Sequence, residues 1–211
     1  MAAVGFQPDA MSRVVAGVAL FAMVIALGVL VAAHLRRTGL SPLHNAVSQY
    51  GISSAAPLYR TQTLAMAVAA AALIVSGAMS LREGGIVEVA TLLGVFAVTR
   101  AAISWYPMDV PGSPRSHVGT MHGILAASAF VSVGLAANRL SRILNSHHLV
   151  PWWSSTSGLA SVVMALTLVV MFASRLAPGV RRYFGLIERL FYLSCSVWLV
   201  AFAVACAFTR S

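Results

Sequence analysis

Six stretches of about 20 residues each are nearly free of charge, and nothing else constrains this chain so tightly. They run from Val14 to Ala33, Thr63 to Ser80, Ile86 to about Tyr106, Val118 to Ala137, Trp153 to Ala173 and Gly185 to Phe208. At a rise of about 1.5 Å per residue, each is long enough to cross a hydrocarbon core about 30 Å thick. The expected fold is therefore all-α: a polytopic membrane protein whose bundle of six transmembrane helices forms a single domain over residues 1–211. Composition agrees, since 59% of residues are hydrophobic and only 9% charged, whereas soluble domains carry about 25% charged residues. A soluble enzyme, a DNA-binding domain and a disordered tail are excluded. A β-barrel is excluded too, because barrel strands alternate polar with apolar residues.

The run behind Arg13 suits a span better than a signal-peptide core of about 7 to 15 residues. Pro42, Pro57, Pro107, Pro111, Pro114, Pro151 and Pro178 all fall between the runs, so no span needs a proline kink. Small residues crowd the second run, including Ala69 to Ala72, Ser76 and Gly77, which favours close helix approach. Trp105, Tyr106, Trp152 and Trp153 stand at span ends, where amphipathic rings favour the headgroup level. Cys195 and Cys206 lie about 16 Å apart along one helix, too far for a mutual disulfide. Both are expected to be buried as small apolar residues.

The 14 basic residues are all arginine and face five acids, for a net charge of +9. They sit between apolar blocks and form no contiguous stripe, so no nucleic-acid partner is expected. We call the side bearing the loops between runs one and two, three and four, and five and six the odd face. It carries Arg36, Arg37, Arg60, Arg115, Arg175, Arg181 and Arg182, against Arg13, Arg82, Arg139, Arg142 and Arg210 on the even face. Positive charge inside leans the odd face toward the cytoplasm, but arginines retained to hold a ligand would bias this count. Orientation and oligomeric state stay open.

A charged side chain in hydrocarbon costs about 2.5–3.5 kcal/mol on insertion scales, so it usually faces the bundle interior with a partner. Arg100, Glu188 and Arg189 lie at similar shallow depth beneath the odd face, and His122 is one turn into the fourth run from the same side. Asp109, His117, Asn45, Ser48 and Gln49 lie just above them. Only Glu88 is placed beneath the even face. Each has a bland alternative: Arg100 with Glu188 as a packing ion pair, Arg189 snorkelling to the headgroups, and His34, His147 and His148 solvated at the rim.

His117 and His122 invite a metal reading, with zinc the natural candidate. On one continuous helix their rings would point about 140° apart, so a shared ion requires His117 to precede the helix. Asp109 or Glu188 could then complete a three-ligand site. A Ser-His-Asp hydrolase from Ser48 and Asp109 is conceivable, although Asn45 to Gly51 lacks the G-x-S-x-G elbow. No nucleotide cofactor is expected, because there is no G-x-G-x-x-G, Walker or C-x-x-C-H string.

Taken together, Asn45-Ala46-Val47-Ser48-Gln49-Tyr50-Gly51, Tyr106-Pro107-Met108-Asp109, His117 with His122, and Gly185-Leu186-Ile187-Glu188-Arg189 resemble the DUF998 family of prokaryotic six-helix membrane proteins. That family is distantly similar to the Frag1/DRAM/Sfk1 membrane proteins, whose first long loop carries a comparable Ile-Ser-Asp-x-Gly string. Gln49 stands where that loop has an acid, and Tyr106 where Phe is usual. The resemblance implies a multi-pass protein of a bacterial cytoplasmic membrane. It brings no established activity and, through the eukaryotic relatives, a tilt toward membrane lipids.

The resulting expectation is a polar pocket on the odd face, walled by the third, fourth and sixth helices and lidded by the first long loop. It would bind or modify an amphiphile with an anionic head. Arg100 and Arg189 would hold phosphate or carboxylate, His122, Asp109 and Glu188 would orient the head or move a proton, and Ser48, Asn45 and Gln49 would close the lid. The alternatives are a metal-assisted hydrolase of a lipid amide or ester using His117 and His122, and a non-catalytic scaffold or assembly factor.

Overall fold

The computed structural model describes residues 5–81, 85–174 and 176–209, so Arg82, Glu83, Arg175 and Arg210 lie outside the described residues. The long helices are α1 (Ala10–Leu35), α2 (Ala56–Ser80), α3 (Ile86–Ala102), α4 (His117–Ser146), α5 (Pro151–Ala173) and α7 (Phe184–Phe208). A single turn, α6 (Pro178–Arg181), precedes α7, and short 3-10 segments occupy Val47–Ile52 and Ile103–Trp105. All six long helices are long and apolar enough to cross a membrane. This is a multi-pass membrane protein.

The helices close a ring in chain order, with α7 packing back on α1, and α2 and α7 also touching each other. Those two form the centre: 61% of the most apolar window of α2 and 67% of that of α7 are buried, against 28% to 33% in the other four. Small residues explain the closeness at α2. A Cβ built on Gly77 would stand 2.8 Å from the Phe202 ring of α7. On the other flank Ser76 donates to the Ser12 carbonyl at 2.8 Å, and Ser80 donates to the Ser12 hydroxyl at 3.0 Å.

Helix starts are set by local chemistry. Asp9 caps α1 by accepting from the Ser12 amide at 2.7 Å, and Ser116 caps α4 by accepting from the Gly119 amide at 3.0 Å, each satisfying an otherwise orphaned first-turn donor. Pro57, Pro151 and Pro178 lie in the first turn of α2, α5 and α6, where a missing N–H removes no helical bond. They open helices and do not merely separate them. Accordingly α2 begins at Ala56, well before the apolar run at Thr63. At the other extreme α4 passes Ala137 to reach Ser146, because Leu140, Ile143 and Leu144 continue a buried stripe at helical spacing.

The aromatic expectation divides. Trp105 and Trp152 are exposed at helix ends, but Trp153 is fully buried against the rings of Phe6 and Phe202. It is a core residue and not an interfacial anchor. Cys195 and Cys206 are free and buried. The loop 36–55, the loop 106–116 and the turn 176–183 gather at the odd end of the ring.

Candidate functional site

Two of the strings singled out in the sequence meet at the start of α7. Gly185 admits the first loop against the helix, for a Cβ there would stand 2.5 Å from the Asn45 carbonyl oxygen and 2.8 Å from that of Pro42. The next residues hold what Gly185 admits. The Leu186 amide donates to the Leu43 carbonyl at 3.1 Å, buried Glu188 accepts from the Val47 amide at 2.6 Å, and Arg189 donates to the Asn45 carbonyl at 2.8 Å. Asn45 braces the loop from within, accepting from the Ser41 amide and donating to Gln49 Oε1, both at 2.7 Å.

Arg189 also reaches α1. It donates to His34 Nε2 at 2.7 Å and to the Tyr50 hydroxyl at 3.3 Å. The other ring nitrogen, Nδ1, lies 2.7 Å from the Leu30 carbonyl. A carbonyl only accepts, so the ring proton is on Nδ1 and Nε2 is the acceptor. His34 thus belongs to the clamp that holds the loop, although the sequence places it at the rim.

Beside this clamp opens a cavity of about 480 Å³, within the range of about 300–1,000 Å³ typical of small-molecule sites. Its apolar end is formed by Ala126, Ala127 and Phe130 of α4 with Leu168, Met171 and Phe172 of α5. Phe172, next to the last residue of α5, is 46% exposed. The polar end gathers Ser48, Asp109, Arg115, His122 and Glu188. The walls are therefore α4, α5 and the start of α7; α3, expected to contribute, does not line it. A second cavity of about 350 Å³ shares Ser48, Met108 and His122 with the first. The partition includes a hydrogen bond from the Ser48 hydroxyl to the Met108 sulfur at 3.3 Å.

Asp109 is held at the mouth by Ser116, whose hydroxyl donates at 2.5 Å and whose amide donates at 3.1 Å. These bonds, the hydroxyl first, keep its carboxyl below the usual carboxylate range. Gly119 leaves room for it, since any Cβ there would collide with the carboxylate. His122 is fixed from one side only: Nδ1 donates to the Tyr106 carbonyl at 2.7 Å. Its Nε2 has no protein partner among the described residues and is not sealed from the cavity.

Arg100 is placed elsewhere. It is 1% exposed, donates to the Tyr192 hydroxyl at 2.9 Å and to Gln62 Oε1 at 2.8 Å, and does not line the large cavity. Among the described residues it forms no ion pair within 4.0 Å with Glu188; the pair that does form is Arg139 with Glu88 at 2.6 Å, on the half-exposed even side. Sequence reasoning missed Gln62 and Tyr192 as partners of Arg100. The signal available was a glutamine beside an otherwise apolar run. Arg115, in sequence only one of the odd-face arginines, is the cation that lines the mouth among the described residues.

His117 is the first residue of α4 and exposed, so it shares a helix with buried His122 and the geometric condition for a common ion is not met. Among the described residues no group of three or more His, Cys, Asp or Glu side chains is arranged to hold a metal.

No curated protein and no solved structure matches the chain. One family model does, described as a protein of unknown function, DUF998, and it matches residues 5–205. With nearly its whole length matched, the chain belongs to the DUF998 family.

Proposed function

We propose that this protein binds a lipid-like amphiphile in the cavity at its odd face. The observation that carries the reading is the division of one cavity into two chemically distinct ends. Six apolar side chains of α4 and α5 line one end, while Ser48, Asp109, Arg115, His122 and Glu188 line the other. A chain in the first end would place its head among the second. Because Arg100 and Arg189 donate to Tyr192, Gln62, Asn45 and Tyr50, we assign them to positioning α3, α7 and the loop and not to holding the head.

Gly123 gives the test. It lines the cavity, and a Cβ added to it meets nothing within 4 Å, so Gly123→Leu starts a bulky side chain from a backbone position with room for it and fills space in the cavity. Native mass spectrometry of protein released from nanodiscs should find a retained amphiphile on the wild type and little on this variant. Equal retention on both would remove the cavity from consideration.

A catalytic reading is second and rests on His122. A ring anchored through Nδ1 with Nε2 turned to a cavity is arranged as a base. Turnover of an ester amphiphile by the wild type, abolished in His122→Asn, would favour it.

A further inference from the structure

We infer that the head this cavity takes is neutral and rich in hydroxyl groups, a polyol in place of the anionic head the arginines suggested; this rests on the amphiphile reading above. Away from the donors of Arg115 at the mouth, the hydrogen-bonding capacity left free deep in the polar end is one-sided. The Ser48 hydroxyl donates to Met108 and the Ser113 hydroxyl to the Val110 carbonyl. Asp109 takes its hydrogen bonds from Ser116. Two groups deep in the site are left with free capacity, and both can accept: His122 Nε2 and the Glu188 oxygen not engaged by Val47. A ligand satisfies them by donating, as a hydroxyl does.

Charge then separates the candidate heads. A phosphate or carboxylate would set its oxygens against the free Glu188 oxygen and an imidazole lone pair, with Arg115 at the mouth as the only cation among the cavity-lining residues described. An ammonium head would meet the guanidinium of Arg189, which holds the same loop as Glu188, and that of Arg115, which lines the same cavity as Asp109. A neutral donor avoids both conflicts, and several hydroxyls on one head can reach His122 and Glu188 together.

The experiment compares three probes with one dodecanoyl or dodecyl chain each: monolauroylglycerol, dodecyl phosphate and dodecylammonium. Occupancy is read by native mass spectrometry of the full chain from nanodiscs. Monolauroylglycerol is expected to bind at least about ten-fold more tightly than either charged probe. Glu188→Gln, which keeps an acceptor for the Val47 amide, should weaken it about ten-fold, as befits one lost hydrogen bond. His122→Asn retains a donor for the Tyr106 carbonyl while removing Nε2, and should weaken it comparably even if the Glu188 variant folds poorly. Tightest binding of dodecyl phosphate, lost in Arg115→Gln, would overturn the polyol inference and leave the amphiphile reading standing. So would monolauroylglycerol binding that Glu188→Gln and His122→Asn both leave unchanged while Gly123→Leu blocks it. If Gly123→Leu changes the binding of none of the probes, the amphiphile reading itself falls.

Discussion

Gly185 of α7 lies against the backbone of Asn45, with space for a hydrogen and none for a methyl group: a Cβ at Gly185 would stand 2.5 Å from the Asn45 carbonyl oxygen and 2.8 Å from its amide nitrogen. Because both neighbours are backbone, they cannot turn aside as a side chain would. Gly185→Ala is therefore expected to push the first loop off α7 and to cost about 1–3 kcal/mol, the range for overpacking. Thermal denaturation in mild detergent checks this. Limited proteolysis should show new cleavage between residues 36 and 55, and a variant as stable and protease-resistant as the wild type would refute the contact.

Arg100 should matter for stability before anything else. Its guanidinium is the partner of Gln62 and of Tyr192, so Arg100→Met leaves two buried polar groups unpaired, at about 1–3 kcal/mol each. The double variant Arg100→Met with Gln62→Leu should recover part of the loss, which a double-mutant cycle of melting temperatures measures. Strict additivity would mean that the two side chains do not act together.

Asp109 gives a pH dependence with a definite sign. Its folded-state carboxyl lies below the ordinary value of about 3.9 because Ser116 hydrogen-bonds the charged form. The stabilisation is therefore complete above the unfolded value and fades as pH falls through the folded one. The melting temperature of Asp109→Asn should lie below that of the wild type by a constant amount between neutral pH and about pH 5, and the gap should close in stronger acid. A gap that widened on acidification would contradict the arrangement.

Gly123→Leu is expected to separate stability from binding. Glycine inside a helix costs about 1 kcal/mol relative to good helix formers, and here an added Cβ meets open space. The ligand-free variant should melt higher than the wild type while it retains less amphiphile. Losing both together would point to misfolding.

The helix count was legible because burial in hydrocarbon leaves a long, charge-free signature that needs no partner to be recognised. Boundaries were less so. Tyr59, Arg60 and Gln62 interrupt the apolar pattern of α2, yet Pro57 marks its true start, a signal independent of hydropathy. The strings around Ser48 and Glu188 were recognisable as special, but their role as a loop clamp depends on contacts 141 and 144 residues apart in sequence. Depth misled the reading of Arg100. It does lie near Glu188 in height, but height along a helix says nothing of direction around it, and its guanidinium points toward Gln62 on α2. Trp153 illustrates the same gap, because a tryptophan at a span end looks identical in sequence whether it faces headgroups or the protein core.

The cavity is lined along one side by apolar side chains of two membrane-spanning helices, α4 and α5. A hydrophobic guest of such a protein partitions into the surrounding lipid before it binds, so the concentration that governs loading is its mole fraction in the bilayer. Titrations expressed per volume of buffer would then report partitioning and recognition multiplied together, and the same protein would seem to change affinity whenever the amount of surrounding lipid changed.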